Sequence, residues 1–275
     1  PGYIHPKQRS CRPDGHCMSH YEIDVKYVEA DVGCPNGKTW FTTYGGTVPG
    51  PTFMFKAGEE IHVRFNNHLK GEPVWEYYAL EPCTEEYGRE LGIGIAVHNH
   101  GQASLAPYDG WAEDWVCPEE SKDYLYPGDH AKYGWYHDHG LDITSLNAYH
   151  GQAGLFIPSD KKTFGGCGEP WNLDEVPDYH LIFGDVVLNK TCQLVLDFKQ
   201  IHFGHLFGDI NLVSGITWPV LTVHPTAVRL RILASGPSRP WIITLVTFEG
   251  GKRKVISGKR CKVFASETGF YPKPV

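Results

Sequence analysis

The chain reads as an all-β protein, and three features of the sequence predict this. Thirty-one glycines and 20 prolines in 275 residues divide it into short segments and leave little room for long helices. Segments such as Ile61-His62-Val63-Arg64-Phe65 alternate apolar and polar side chains with the period of two that a half-buried strand requires. Such segments recur between Gly- and Pro-rich turns, a spacing that suits an antiparallel sandwich or barrel. With 41% hydrophobic and 13% aromatic residues, there is material for a substantial core.

Residues 1–20 read as an N-terminal extension, and 21–158 as one β-rich unit. Within that unit, strands are expected over Trp40 to Tyr44, over Thr52 to Phe55, over Ile61 to Phe65 after the Lys56-to-Glu60 turn, and over Ile93 to Val97. Leu141 to Gly151 is the one stretch suited to a helical turn or two. Residues 159–178, with Gly165, Gly166, Gly168, Pro170 and Pro177, have the composition of a linker. A second β unit occupies 179–275, with strands expected at His180 to Phe183, Trp218 to Val223, Val228 to Leu233 and Trp241 to Phe248. The aromatic group Trp75, Tyr77 and Tyr78 reads as sheet or loop cover. Glu81, Glu85, Glu86 and Glu90 read as a solvated acidic loop, a rim that could attract metal-ion substrates such as Fe(II).

A net charge of −7 offers no electrostatic reason to expect nucleic acid as a partner. The longest apolar runs, such as Trp241 to Val246, are too short to span a bilayer, so a soluble chain without a membrane span is expected. The first residue is Pro1, which fits a numbering that starts after a removed leader or within a longer chain. Cysteines 11, 17, 34, 83, 117, 167, 192 and 261 are scattered rather than set in C-x-x-C pairs, which favours disulfides over a zinc module. Their connectivity is open. The sequon Asn189-Lys190-Thr191 suits a glycoprotein, and together these features predict secretion.

The candidate site lies in two triplets of one form, His98-Asn99-His100 and His137-Asp138-His139, each followed by glycine. In an extended chain, residues i and i+2 face the same way, about 7 Å apart, so one triplet can offer an imidazole to each of two neighbouring ions. Two triplets on adjacent strands can hold a small metal cluster. Imidazole suits copper, zinc, iron and nickel, so the donors leave the metal open. A zinc hydrolase using three of these histidines is a weaker alternative, because no general base stands out in a suitable context. Cys11, His16, Cys17 and His20 could be imagined as a zinc site, although their spacing fits no standard pattern and a disulfide is expected there instead. His202 and His205 read as surface residues, His150 as packing, and His62, His68, His130, His180 and His224 carry no pattern.

Taken with their surroundings, these triplets resemble the multicopper oxidases, specifically the spore-coat laccase and bilirubin oxidase branch. The resemblance rests on Gly45 to Thr52, on Val97-His98-Asn99-His100-Gly101 with Asp109-Gly110 downstream, and on Trp135-Tyr136-His137-Asp138-His139-Gly140 followed by Thr144 to Tyr149 and Gly151 to Ile157. Phe207-Gly208-Asp209-Ile210, Trp218-Pro219 and Arg229 to Leu233 resemble the family's middle domain. The resemblance implies cupredoxin-like Greek-key sandwiches, here one complete and one incomplete. It also implies copper, with His98 as a type 2 ligand and His100, His137 and His139 as type 3 ligands of a trinuclear cluster that reduces O2 to water at the expense of a small reducing substrate. Asp109 matches an acidic position to which the family gives proton relay; a plain turn carboxylate before Gly110 is the alternative.

The family's type 1 copper needs a Cys and two His from a third domain, and no matching motif occurs in this chain. The chain therefore resembles the amino-terminal half of an oxidase, inactive until a missing C-terminal domain or a companion chain supplies the rest. The alternative is a non-catalytic extracellular protein that keeps the cupredoxin fold for binding or structure.

Overall fold

A computed structural model describes residues 2–71, 83, 91–159, 176–196, 204–256, 261–266, 269–271 and 275. Its longest strand, β2 (Cys17–Ala30), organises the first sheet. Ser19, Tyr21, Ile23 and Val25 turn inward while His20, Glu22 and Asp24 face out, the alternation that a sheet with one buried face demands. β1 (Gln8–Cys11), β3 (Thr39–Tyr44) and β5 (Glu59–Asn67) all pair with β2, and β7 (Ser121–Gly128) adds to β5. The opposing sheet has the order β4 (Phe53–Lys56), β9 (Ala153–Ser159), β8 (Gly134–Asp138), β6 (Val97–His100).

The two inner faces meet in an aromatic core. Tyr136 of β8 packs against Tyr44, Phe53 and Phe65, with ring centroids 5.1, 5.3 and 6.3 Å away. Phe156 of β9 joins through Phe53 and Tyr126. Burying rings of this size dominates the stability of such a sandwich. The connection from β8 to β9 contains α1 (Thr144–Tyr149), where a helical turn was expected.

A further sheet follows, with the order β12 (Ile216–Thr217), β11 (Ile210–Val213), β10 (Asp178–Val186), β13 (Arg229–Ala234), and then the hairpins β14 (Val246–Glu249) with β15 (Lys252–Val255) and β16 (Ala265–Ser266) with β17 (Gly269–Phe270). Ile182 of β10 packs on Leu155 and Ile157, the outward residues of β9. A Cys34–Cys192 disulfide and the bond from Tyr149 Oη to the Val195 carbonyl (2.8 Å) tie the same parts together. Cys11–Cys17 and Cys83–Cys117 are also bonded; Cys261 is exposed and free, and Cys167 lies outside the described residues.

Several expectations need correction. The sheets are mixed rather than antiparallel: β2–β5, β4–β9 and β10–β13 are parallel pairs. Hydropathic alternation reports which face is buried and is silent on strand direction. Ile93 to Val97 is strand only from Val97, with Ile95 held by a single bridge to Val116. Trp218 to Val223 forms no strand: Trp218 takes a φ of 46° and Pro219 lacks the N–H a ladder needs. Trp241 to Leu245 is likewise irregular, and β14 starts only at Val246. The strand boundaries also run ahead of the expected first unit, because β1 and the start of β2 lie before Tyr21. Trp75, Tyr77, Tyr78, His202, the four glutamates 81, 85, 86 and 90, and most of the expected linker lie outside the described residues.

Several large apolar side chains beyond β12 remain in solvent, with Val220 91%, Ile242 96% and Phe248 70% exposed. Among the described residues, no helix is long and apolar enough to cross a membrane.

At the first residue of β10, Asp178 accepts hydrogen bonds from Arg229 (2.7 Å) and Arg231 (2.9 Å) of β13. Burial alone would raise its pKa, but His180 and the two guanidinium groups outweigh burial and hold it well below the usual carboxylate range. A group with a depressed native pKa stabilises the fold above its unfolded pKa and loses that contribution as pH falls. Stability should therefore drop as pH falls below about 4, and Asp178→Asn should flatten that acid limb. Urea titrations at a series of pH values test this; parallel curves for wild type and variant would refute it.

Candidate metal centre

β6 and β8 are antiparallel neighbours, with His98 opposite His137 and His100 opposite Trp135. Val97 and Asn99 of β6, and Tyr136 of β8, turn into the core, so the three histidines and Trp135 share the outer face of this sheet. His139 follows just past the end of β8, where its N–H donates to the Ala96 carbonyl at 2.7 Å.

The four imidazoles converge. Ring centroids lie 5.7 Å apart for His98 and His100, 5.4 Å for His98 and His137, 5.2 Å for His98 and His139, and 6.0 Å for His137 and His139. Ligand nitrogens of His98, His100 and His137, one from each, lie within 4.8 Å of one another. Nitrogens sharing one tetrahedral ion would lie about 3.3 Å apart, given bonds near 2.0 Å. The wider spread suits more than one ion.

Each ring is held from behind. His98 Nδ1 donates to the Asp109 carbonyl at 2.5 Å, with an Asp109 carboxylate oxygen 3.5 Å away. The close approach of that turn depends on Gly110, whose φ is 73° and where a Cβ would collide with the Val97 carbonyl. His137 Nδ1 donates to the Asp138 carbonyl at 2.7 Å. In both rings this fixes the tautomer that leaves Nε2 free as a donor to metal. Trp135 lies over His137 at 4.1 Å and over His100 at 5.3 Å, shielding one side of the group.

Burial lowers the pKa of His137 to about 3, against its hydrogen bond to Asp138 and with the neighbouring imidazoles adding to the shift. Burial also lowers His98, partly opposed by Asp109. Both rings are therefore neutral near pH 7, the form a metal requires.

Two contributors lie outside the histidine pattern. Asp138 is fully buried and accepts from the Ala96 N–H (2.8 Å) and the Gly140 N–H (2.9 Å), tying the end of β8 to the entry of β6. Burial pushes its pKa up to about 6 against those hydrogen bonds and one from Asn147. Lys132, also buried, donates to the Gly101 carbonyl at 2.9 Å and pairs with Asp129 at 3.0 Å, anchoring the turn after His100. A central acidic residue between two histidines was a visible signal; nothing in the sequence marks Lys132. Of the other histidines, His150 is buried packing with Nδ1 on the Leu146 carbonyl, and Cys11 and Cys17 are consumed by their disulfide.

The chain is similar over 262 residues to a bilirubin oxidase from Albifimbria verrucaria, at 30% identity, covering 95% of this chain and 41% of that protein. A laccase from Bacillus stratosphericus is 28% identical over 283 residues, covering 94% and 52%. The McoA multicopper oxidase structure from Aquifex aeolicus matches all of this chain and 52% of its own with a TM-score of 0.73 at 22% identity, a likeness of fold. Over nearly all of its length the chain resembles the multicopper oxidases. No protein-family model matches it. It spans about half the length of these oxidases or less.

The likeness to multicopper oxidases makes copper the implied metal, and the residues fit it. His137 Nε2 is buried without a hydrogen-bond partner among the described residues, a cost that metal ligation removes. Asp138→Ala would strand two buried N–H groups and should destabilise the protein by roughly 2–4 kcal/mol. Superimposable denaturant curves for this variant and wild type would show that the brace is idle.

Proposed function

We propose that this chain is the amino-terminal part of a laccase-like multicopper oxidase and supplies half of the ligands of a trinuclear copper cluster. His98 would ligate the type 2 copper, and His100, His137 and His139 the type 3 pair. The observation that carries this reading is the convergence of four imidazoles on one face, with centroids 5.2 to 6.0 Å apart, in a chain related to copper oxidases. When bound, such a cluster supplies the electrons that convert O2 to water as phenolic or metal-ion substrates are oxidised.

The chain's own residues then bind, orient and transfer protons. The Asp109 carbonyl and the Asp138 carbonyl hold His98 and His137 with Nε2 directed at metal. Trp135 covers one face of the His100 and His137 rings. The Asp109 carboxylate, 43% exposed and next to His98, can take a proton from solvent and release it towards the site. The remaining ligands and the type 1 copper would come from a C-terminal domain or a companion chain. The exposed apolar side chains around Val220, Ile242 and Phe248 support further polypeptide packing there. Secretion, supported by three disulfides, and glycosylation at the exposed Asn189 belong to the same reading.

In the completed, copper-loaded protein, His137→Ala should remove cluster copper and abolish O2 uptake with 2,6-dimethoxyphenol or Fe(II). Asp109→Asn should keep its copper yet slow uptake by about 10²-fold or more. Elemental analysis and an oxygen electrode provide both readouts. A completed protein that binds no copper, or a His137→Ala variant matching wild type, would instead favour a non-catalytic extracellular binding protein of the same fold.

A further inference from the structure

We propose that Lys132 is the positioning residue for His100: by holding the Gly101 carbonyl it sets where the His100 imidazole stands on the outer face of the sheet. The consequence for copper rests on the function proposed above; the placement of the ring does not.

The four imidazoles are not held alike. His98 and His137 each donate from Nδ1 to a backbone carbonyl, at 2.5 and 2.7 Å. The backbone of His139 is fixed by its N–H bond to the Ala96 carbonyl at 2.7 Å. Among the described residues no hydrogen bond holds the His100 ring; Trp135, directly opposite on β8, packs on it with planes 26° apart. The place of this ring therefore follows its backbone. That backbone ends an edge strand, since β6 stands last in its sheet with β8 as its one partner among the described residues. Gly101 then takes a φ of 85° and the chain turns, the Gln102 N–H donating to the Asn99 carbonyl at 3.3 Å. An edge strand that runs straight into a glycine turn has little to fix its last residue.

Lys132 supplies what is missing. Its backbone N–H donates to the Pro158 carbonyl of β9 at 3.2 Å, and its ammonium donates to the Gly101 carbonyl at 2.9 Å. One residue at the entry to β8 thus ties the strands on both sides of it. Asp129, 3.0 Å away, balances the charge, and only 1% of the Lys132 side chain is exposed. A buried ammonium carries a desolvation penalty that an apolar side chain of similar size would avoid. Packing alone therefore gives no reason for lysine here; a donor directed at one particular carbonyl does. Asp138 does the converse at the start of β6, where its carboxylate accepts from the Ala96 N–H. Opposite charges grip opposite ends of one four-residue strand, and the two histidines between them are placed by both.

The test follows the imidazole proton resonances of His100 and His98 in the metal-free protein, where the Trp135 ring current reports how His100 is seated. Lys132→Met is close to lysine in size and lacks the donor. In it the His100 resonances should move, while those of His98, held by the Asp109 carbonyl, should stay in place. Circular dichroism checks the fold, and Lys132→Gln, one bond shorter and still polar, reads the same shift should Lys132→Met not fold. In the completed protein, Lys132→Met should weaken copper(II) binding about 10-fold. It should add nothing in a His100→Ala background, a non-additivity that a general loss of stability would not produce. The resonances need no metal, so a protein that bound no copper would defeat the proposed function and leave this comparison standing. Unmoved His100 resonances in the folded variants, or equal weakening with and without His100, would overturn the proposal.

Discussion

The antiparallel pairing of β6 with β8 has to be correct to the residue, because a strand has only two faces and the site needs the outer one. A slip of one position would carry one histidine pair into a core occupied by Tyr44, Phe53 and Phe65, and would bring Asn99 or Tyr136 out. The register is defended on both sides of the sheet. Inside, the Tyr136 ring fills the space between the sheets and its hydroxyl donates to the Pro51 carbonyl at 2.7 Å. Gly154 on the neighbouring strand makes room for that ring, since a Cβ there would press into it. At the open end, Asp138 takes the N–H groups of Ala96 and Gly140, so the ladder is closed where backbone pairing stops. Packing of one aromatic and capping by one carboxylate together determine where four imidazoles stand.

Gathering imidazoles also creates an electrostatic problem that burial solves. Protonated, the rings would repel one another at these distances; with His137 pushed down to about 3 by desolvation, its charged form is excluded near neutrality. Mutual repulsion is the smaller contribution, so the strand's buried setting, more than the crowding, prepares the nitrogen for metal. Asp138 places a negative charge beneath the group without joining it, since both its oxygens are taken by N–H groups. The arrangement separates the imidazoles from their counter-charge, which would leave the histidines as the donors to a bound metal.

The sequence made the four histidines legible because their information is local: two residues with the same strand parity carry their geometry in their spacing. Strand positions with clean alternation, such as Ile61 to Phe65, were equally readable. Pairing partners were not, because nothing in Ile61 to Phe65 says that β2 will lie parallel to it. That gap hid the pairing of His20 with His62 across the ladder. It also misassigned Trp218 to Val223 and Trp241 to Leu245, apolar runs with strand composition that have no sheet neighbour and remain largely in solvent. Propensity describes a willingness to be strand; only a partner edge makes one. Asp138 was visible as the centre of a triplet, yet its role depends on Ala96, which reaches it only through the fold.

Two kinds of histidine pair meet in the β6–β8 ladder, and their difference is geometric. Along a strand, i and i+2 are separated by about 7 Å, too far for one ion at bond lengths near 2 Å, so such a pair bridges neighbouring ions. Across a ladder, directly opposed side chains start about 5 Å apart, which suits a single ion. His98 and His100 belong to the first kind, His98 and His137 to the second. The four-histidine centre combines both relations, because His98 is at once two residues from His100 and opposite His137. Doubling the along-strand pair across a ladder is what allows a sheet to hold a cluster rather than an isolated ion, and it does so with side chains that all leave from one rigid surface.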